Sequence, residues 1–325
     1  ILFRGADAFE RAKAIDTVIL DKTGTLTEGR MNVIDVIAEE PQGVLSLAAA
    51  VEASSEHPVA RAIVEAAAVD RDPASVREFR ALPGRGVMAR VDGRMVRVGR
   101  PSWLAEEVSN ENSDARTAEL EASGHTVVTV AVDERSVGQI VVADRVRSSS
   151  AAVVQKLKEG GYRLAMVTGD NEGAAARVGS AVGIENIEAG ALPEDKAAYV
   201  RRLQATGCRV AFVGDGINDA PALAAADLGI AVGTGSDTAI ETGQVVSMFG
   251  DPTAIPKALE LARMTMRVVQ QNLFWAFAYN VAAIPMAALG WLNPMIAAAA
   301  MALSSVSVVS NALRLHILSV EDARL

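Results

Sequence analysis

At 325 residues the chain has material for two or three domains with an ample core. Half of its residues are hydrophobic, its formal net charge is -9 and its mean hydropathy is +0.22. The acidic balance, with no basic run interleaved with aromatics, argues against a nucleic-acid partner, while the hydropathy leans towards a membrane protein. Cys208 is the single cysteine, which leaves no disulfide framework and no Cys-x-x-Cys metal site; it reads as a small buried hydrophobe leading into a strand.

The chain starts at Ile1 with neither a methionine nor a basic-then-apolar leader, the pattern of a fragment or a processed product. Leu2, Phe3, Ala6, Phe9 and Ala12 at helical spacing predict a short amphipathic helix over 1–14. Thr17-Val18-Ile19-Leu20 has the composition of a strand buried on both faces of a parallel sheet, and such sheets carry their chemistry just beyond the strands' carboxyl ends. Asp21 falls at that edge. Gly24 allows close backbone approach, Thr23, Thr25 and Thr27 offer hydroxyl and amide donors, and Lys22 adds a charge suited to phosphate. A carboxylate nucleophile among phosphate donors points to phosphoryl transfer through an aspartyl phosphate.

From about Val33 to Val132 the pattern is self-contained. Helices are expected over Val44–Ala53 and Val59–Ala68, and strands over Phe79–Leu82, Gly86–Val91, Arg94–Val98 and Val127–Val132, with Asp92-Gly93 as a hairpin turn. Helices on one face of an antiparallel sheet would make a small α+β domain that interrupts the first, which resumes near Ser136. Beyond it, strands at Val137–Ala143, Leu164–Val167, Val210–Val213, Leu228–Val232 and Val245–Met248 alternate with helices at Ser149–Lys158, Gly173–Val182, Glu194–Gln204, Pro221–Ala226 and Thr238–Thr242. Such alternation predicts a doubly wound parallel sheet. The expected domains are therefore 1–32 and 133–255 as one α/β unit, 33–132 as its insertion, and 256–325 as a helical end.

Residues 268–313 hold no Asp, Glu, Lys, Arg or His. One membrane span needs about 20 apolar residues, so two spans are expected, with the break at Gly290–Pro294 and Trp291 suited to an interface. Arg263 and Arg267 before the first span and Arg314 after the second put both ends in the cytosol.

Three further segments are expected to join Asp21. Thr168-Gly169-Asp170 ends a strand and can offer a hydroxyl and an amide to phosphate. Lys196 lies near a helix start, where its ammonium could balance Asp21 and a phosphate. Asp215 and Asp219 sit four apart on a Gly-rich loop and are hard oxygen ligands of the kind Mg²⁺ prefers, although Asp219 also reads as a helix N-cap before Pro221.

The run Asp21-Lys22-Thr23-Gly24-Thr25-Leu26-Thr27 resembles the phosphorylation motif of P-type cation-transporting ATPases. The four segments together resemble the motif set of haloacid-dehalogenase-like phosphotransferases, and Val213–Ile240 is similar to the hinge of P-type ATPases throughout. The resemblance implies that Asp21 is phosphorylated, that Thr168 and Lys196 hold the phosphoryl group, that Asp215 and Asp219, with Asp21 and Thr23, support Mg²⁺, and that Asn218 positions the transfer. Ser55-Glu56-His57-Pro58 with Gly84-Arg85-Gly86-Val87 looks like the nucleotide-binding domain of the heavy-metal branch. There Glu56 and His57 would contact adenine, and Gly84, Gly86 and Gly99 would admit ATP; the Arg100 that follows stands where the family often has asparagine. Tyr279-Asn280 in one helix with Met301, Ser304 and Ser305 in the next resembles the copper(I)-transporting class, since thioether sulfur favours Cu(I). The zinc/cadmium class would carry a lysine and an aspartate in these helices.

The resemblance implies a C-terminal half of a multi-pass cell-membrane pump with cytoplasmic catalytic domains. Its expected partners are ATP, Cu(I), the lipid bilayer, the N-terminal part of the same pump and a copper chaperone. A soluble phosphatase of the same superfamily and a non-enzymatic metal-binding membrane subunit are the alternatives, the first having no use for residues 268–313 and the second none for Asp21.

Overall fold

The computed structural model describes residues 1–67, 76–108, 114–215, 218–232, 243–247, 251–290 and 293–321. Among them the strands form two sheets. The first runs in the order β1 (Leu2–Phe3), β13 (Val245–Ser247), β12 (Leu228–Val232), β11 (Val210–Gly214), β2 (Thr17–Asp21), β9 (Arg163–Val167), β10 (Ile187–Glu188), parallel throughout except for β1. Side chains alternate across a strand, and β2 shows the result. Val18 and Leu20 enter a core shared with α1 (Asp7–Ala14), α6 (Ser150–Glu159) and α7 (Glu172–Val182), whereas Ile19 enters another with α8 (Pro193–Ala205) and α9 (Ala220–Ala225). Helices thus cover both faces, and the doubly wound parallel sheet expected from the alternation is present. The expected helix at Thr238–Thr242 lies outside the described residues.

Register sets the active edge. Leu20 pairs with Val213 on one side and Met166 on the other, and Asp21 pairs with Val167. The loops that follow β2, β9 and β11 therefore leave the sheet together.

The second sheet is antiparallel, ordered β3 (Thr27–Ala38), β8 (Arg135–Val146), β7 (Thr126–Val132), β6 (Arg94–Gly99), β5 (Gly86–Val91), β4 (Val76–Leu82). Helices α2 (Pro41–Glu52) and α3 (Pro58–Ala67) bury Ala48, Val51 and Ile63 against Val96, Val98, Val130 and Ile140. Asp92 and Gly93 both take positive φ, as the expected hairpin turn requires.

Four expectations are corrected. Val137–Ala143 does not open the parallel sheet: it lies inside β8, paired with β3 and β7, so the antiparallel layer runs from Thr27 to Val146. Helices do not keep to one face of that layer, because α4 (Pro101–Glu107) buries Trp103 and Leu104 with Ala131 on the other face, and α5 (Asp114–Ala122) also packs on β7. Residues 1–14 are not one helix: Gly5 at φ +88° interrupts it, Leu2 and Phe3 pair with β13, and Phe3 stacks on Phe9 at 4.1 Å. Finally, α10 (Ala254–Ala288) and α11 (Pro294–Glu321) form the expected helical hairpin, but among the described residues no helix is long and apolar enough to cross a membrane. Gln270, Gln271, Asn272 and Asn280 dilute α10, and five serines with Asn311 dilute α11.

The two layers meet tightly at one point. A β-carbon on Gly173, at the start of α7, would lie 1.8 Å from the Ala122 carbonyl oxygen at the end of α5. Only a glycine fits there, so Gly173→Ala should cost about 1–3 kcal/mol, the usual range for overpacking. Chemical denaturation followed by circular dichroism would measure it, and unchanged stability would mean the two helices are not pressed together.

Candidate active site

At the carboxyl edge of the parallel sheet, Lys196 donates to Asp21 Oδ1 at 2.6 Å and to Asp219 Oδ1 at 2.7 Å. All three are buried, with residue exposures of 7%, 3% and 1% for Lys196, Asp21 and Asp219. Burial pushes the Asp21 carboxyl up to about 7, helped by the charges of Asp219 and Asp215 and opposed by Lys196. Burial works against the Lys196 ammonium, but the two carboxylates outweigh it and its pKa is raised. Asp219 occupies the N-cap of α9 without making a capping bond, because its carboxylate is committed to Lys196. The N-cap alternative thus describes its backbone and not its side chain.

The loop after Asp21 is irregular, with Gly24 at φ +75° and its absent β-carbon 2.7 Å from Asp215 Oδ2. A side chain there would displace Asp215. Lys22 is buried and paired with Asp170. Thr168 is buried, and its hydroxyl accepts from the Asp170 amide at 3.1 Å. Thr25 Oγ1 is buried with no partner, whereas Thr23 and Asn218 are exposed. The structure therefore gathers Asp21, Lys196, Asp215 and Asp219, with Thr168 just beyond the end of the neighbouring strand.

Sequence reasoning passed over the residues that hold this loop. Arg147 donates to the carbonyls of Gly24 (3.2 Å) and Thr27 (2.9 Å), Ser150 to that of Leu26 (2.7 Å), and Asp144 accepts from Thr27 Oγ1 (2.5 Å) and the Gly29 amide (3.1 Å). These partners lie more than a hundred positions away in sequence, so no local spacing marks them.

The nucleotide candidates are more dispersed. Glu56 and His57 are exposed in the turn between α2 and α3, where His57 Nδ1 accepts from the Val59 amide at 3.3 Å. Gly84, at φ +75°, has open space where a side chain would be. Gly86 and Gly99 instead pair with each other across β5 and β6, and a β-carbon on either would fall within 2.5 Å of the facing strand or turn backbone. Trp103 closes over both, so their close approach is to protein. One buried acid was missed: Glu52, at the end of α2, whose carboxyl burial pushes up to about 7 against a hydrogen bond from Ser55.

In the hairpin, half-buried positions recur every three or four residues: Asn272, Ala276, Tyr279 and Ala283 on α10, and Ala300, Ser304, Ser307 and Asn311 on α11. Asn311 Nδ2 donates to Asn272 Oδ1 at 2.9 Å, which joins the two stripes into a seam. Counting in opposite directions from that contact sets Ala276 level with Ser307, Tyr279 with Ser304 and Ala283 with Ala300. At roughly 100° per residue, Asn280, Met301 and Ser305 then share one flank of the seam. Asn280 and Ser305 bond back to the carbonyls of Ala276 and Met301, and Met301 is 72% exposed.

An acid at the end of a parallel strand, a lysine between two acids and an inserted second layer define a class, and comparison agrees with it. Residues 15–227 match the family model described as haloacid dehalogenase-like hydrolase, and the chain belongs to that family. Over 97% of its length it is homologous to P-type ATPases: 52% identical to the "Probable copper-exporting P-type ATPase V" of Mycobacterium tuberculosis and 46% to the "Copper-exporting P-type ATPase" of Bacillus subtilis. It spans 42% and 40% of those two proteins. A solved zinc-transporting PIB-type ATPase in the E2.Pi state superposes with a TM-score of 0.88 at 35% identity, over 97% of this chain and 52% of that one.

Glu52 makes stability depend on pH. Its folded pKa of about 7 lies above the ordinary value of 4.5, so its contribution is fully present below pH 4.5 and lost as pH rises towards 7, by at most about 3 kcal/mol. Glu52→Gln should flatten that part of the profile. Urea denaturation of both proteins at pH 5 and pH 8 measures the difference, and parallel profiles would show that Glu52 ionises freely.

Proposed function

We propose that this chain is the catalytic part, with a closing helical hairpin, of an ATP-driven copper(I) pump that works through phosphorylated Asp21. The observation that carries the reading is the Lys196 ammonium held between Asp21 and Asp219 at the carboxyl edge of the parallel sheet. Phosphoryl transfer asks for in-line positioning and charge neutralisation more than elaborate covalent chemistry. Asp21 attacks the γ-phosphorus of ATP, an Asp21 oxygen–phosphorus bond forms as the bond to ADP breaks, and water later releases phosphate. Lys196 offsets charge on the carboxylate and on the transferred group, Thr168 supplies a donor from the adjacent strand, and Asn218 lies at the mouth. Because Asp21 is pushed up to about 7, positive charge arriving beside it favours its ionised, nucleophilic form.

Mg²⁺ suits this edge. It binds through one or two carboxylates together with water and phosphate and seldom in an all-protein cage. Among the described residues no cluster of three or more His, Cys, Asp or Glu is set to hold a metal, whereas Asp21 and Asp215 face the same loop. When bound there it would neutralise phosphate charge. The layer from Thr27 to Val146 is read as the nucleotide-binding unit, wider than the 33–132 of the sequence pattern, with His57, Glu56 and Gly84 at its ATP site.

For the transported ion, copper is favoured by the names of the sequence relatives and by the chemistry of the hairpin. Its shared flank offers a thioether, an amide and a hydroxyl, and residues 268–313 hold no carboxylate, imidazole or ammonium. Cu(I) accepts few, soft ligands, which suits this set better than it suits Zn²⁺. The site is open on that flank, where Ile284 and Met301 are exposed. Helices of the whole pump within the cell membrane are read as its cover.

Incubated with Mg²⁺ and ATP labelled at the γ-phosphate, the chain should gain an acid-stable, hydroxylamine-sensitive label that Asp21→Asn abolishes. Label persisting in that variant would place the nucleophile elsewhere. In the complete pump, Met301→Leu should cost under about 1.5 kcal/mol of stability yet lower both the membrane Cu(I) stoichiometry and Cu(I)-stimulated ATP hydrolysis. Wild-type stoichiometry and stimulation would reduce Met301 to packing.

A further inference from the structure

The helical hairpin poses a problem of register. Near its turn the facing segments are built from small residues: Ala282, Ala283, Ala287 and Ala288 on α10, and Ala297 to Ala300 with Ala302 on α11. Alanine surfaces have little relief, and two such helices can slide along each other at small cost in packing. Among the described residues the hydrogen bonds between the two helices are those of Asn311, whose Nδ2 donates to Gln271 Oε1 at 3.2 Å and to Asn272 Oδ1 at 2.9 Å. Other polar side chains on the hairpin, including Asn280, Ser305 and Ser307, bond back within their own helix. Polar contacts between otherwise apolar helices are a well-attested way of fixing register.

We infer that Asn311, through its bonds to Gln271 and Asn272, is the positioning residue that sets the axial register of the hairpin, and thereby keeps Met301 within one turn of Asn280 on their shared flank. The three amides pin the hairpin at the end away from Leu289 and Gly290, where α10 stops. Between them lie the pairs Ala276 with Ser307, Tyr279 with Ser304 and Ala283 with Ala300. Met301 is ten residues, or about 15 Å, from the amides along α11. A slip of one turn, about 5.4 Å, would break both bonds, set Ala283 opposite Ser304 and part Met301 from Asn280. The assignment of register stands on the amide geometry, and its consequence for the ion rests on the copper reading.

Thiol cross-linking tests it in the chain itself, with Cys208→Ser removing the native cysteine. Ala283→Cys with Ala300→Cys forms the in-register pair, and Ala283→Cys with Ser304→Cys a pair one turn out; dibromobimane, which joins only adjacent thiols, is the reagent. The first pair should cross-link and the second should not. Adding Asn311→Leu should reduce the first and raise the second, and Asn311→Gln, which keeps an amide, should restore the original pattern. Circular dichroism confirms that each variant retains its helices. An unchanged in-register pattern in Asn311→Leu, or the same loss in Asn311→Gln, overturns the inference. Cu(I) stoichiometry of the full-length Asn311→Leu protein separates the two readings: lost register with unchanged Cu(I) binding leaves Asn311 as the register residue and removes the ion assignment from this flank.

Discussion

Two carboxylates share one buried ammonium, and the fold is arranged to keep them there. Desolvating an ion costs several kcal/mol even after relaxation, and a pair repays this only when its geometry is good. Lys196 meets both acids at hydrogen-bond distance, but one positive charge faces Asp21 and Asp219, with Asp215 near enough to raise Asp21 further. The edge is therefore short of positive charge. Such a deficit destabilises the resting protein and favours an incoming cation. Parallel pairing of β2 with β9 and β11, and the docking of α8, are the constraints that place these groups, because a one-residue slip in β2 would turn Asp21 away from the edge it shares with Val167.

Much of this edge was legible locally. Val18, Ile19 and Leu20 announce a doubly covered strand, and the acid that ends it stands out because the apolar run stops there. What stayed hidden depends on distant partners. Strand β3 pairs with β8 across more than a hundred residues and is kinked by register shifts near Met31 and Asp35, so its alternation is broken. Glycines were ambiguous in the same way: Gly86 and Gly99 signal close approach, but only their cross-strand pairing shows that they approach each other and Trp103. Glu52 gave no local signal at all, since an acid at a helix end ordinarily reads as solvated.

The loop carrying Lys22 to Thr27 is tied to both layers. Its own chain continues into β3, while Asp144, Arg147 and Ser150, at and beyond the end of β8, hold it through side-chain bonds. Those two strands are neighbours in the antiparallel layer and are the routes by which the chain enters and leaves it. A tilt of that layer against the parallel sheet therefore pulls on the carbonyls of Gly24, Leu26 and Thr27 directly. The tight contact of Gly173 with Ala122 is a second link, close in sequence to the turn that holds Thr168 and Asp170. The inserted layer thus touches the reacting edge through two rigid points, each beside a residue that faces phosphate in the proposed mechanism.

The hairpin is joined to the same core from below. Helix α10 has 35 residues, about 50 Å of continuous helix, and its first turns bury Ile255, Ala258, Leu259 and Ala262 in the core that holds Val18 and Leu20. Arg263 completes the attachment, donating to the carbonyls of Gly160 (3.0 Å) and Ile15 (3.4 Å) and lying 4.2 Å over the Tyr162 ring. Ile15 ends α1 two residues before β2, the strand that delivers Asp21. Nine positions beyond Arg263, α10 presents Asn272 to Asn311, and the seam with α11 begins. One helix therefore carries both the bolt under the strand that ends at Asp21 and the residue against which the second helix is registered. With no break described between them, a rotation of the core about the sheet cannot leave the seam where it was, and the flank bearing Asn280 and Met301 must turn with it.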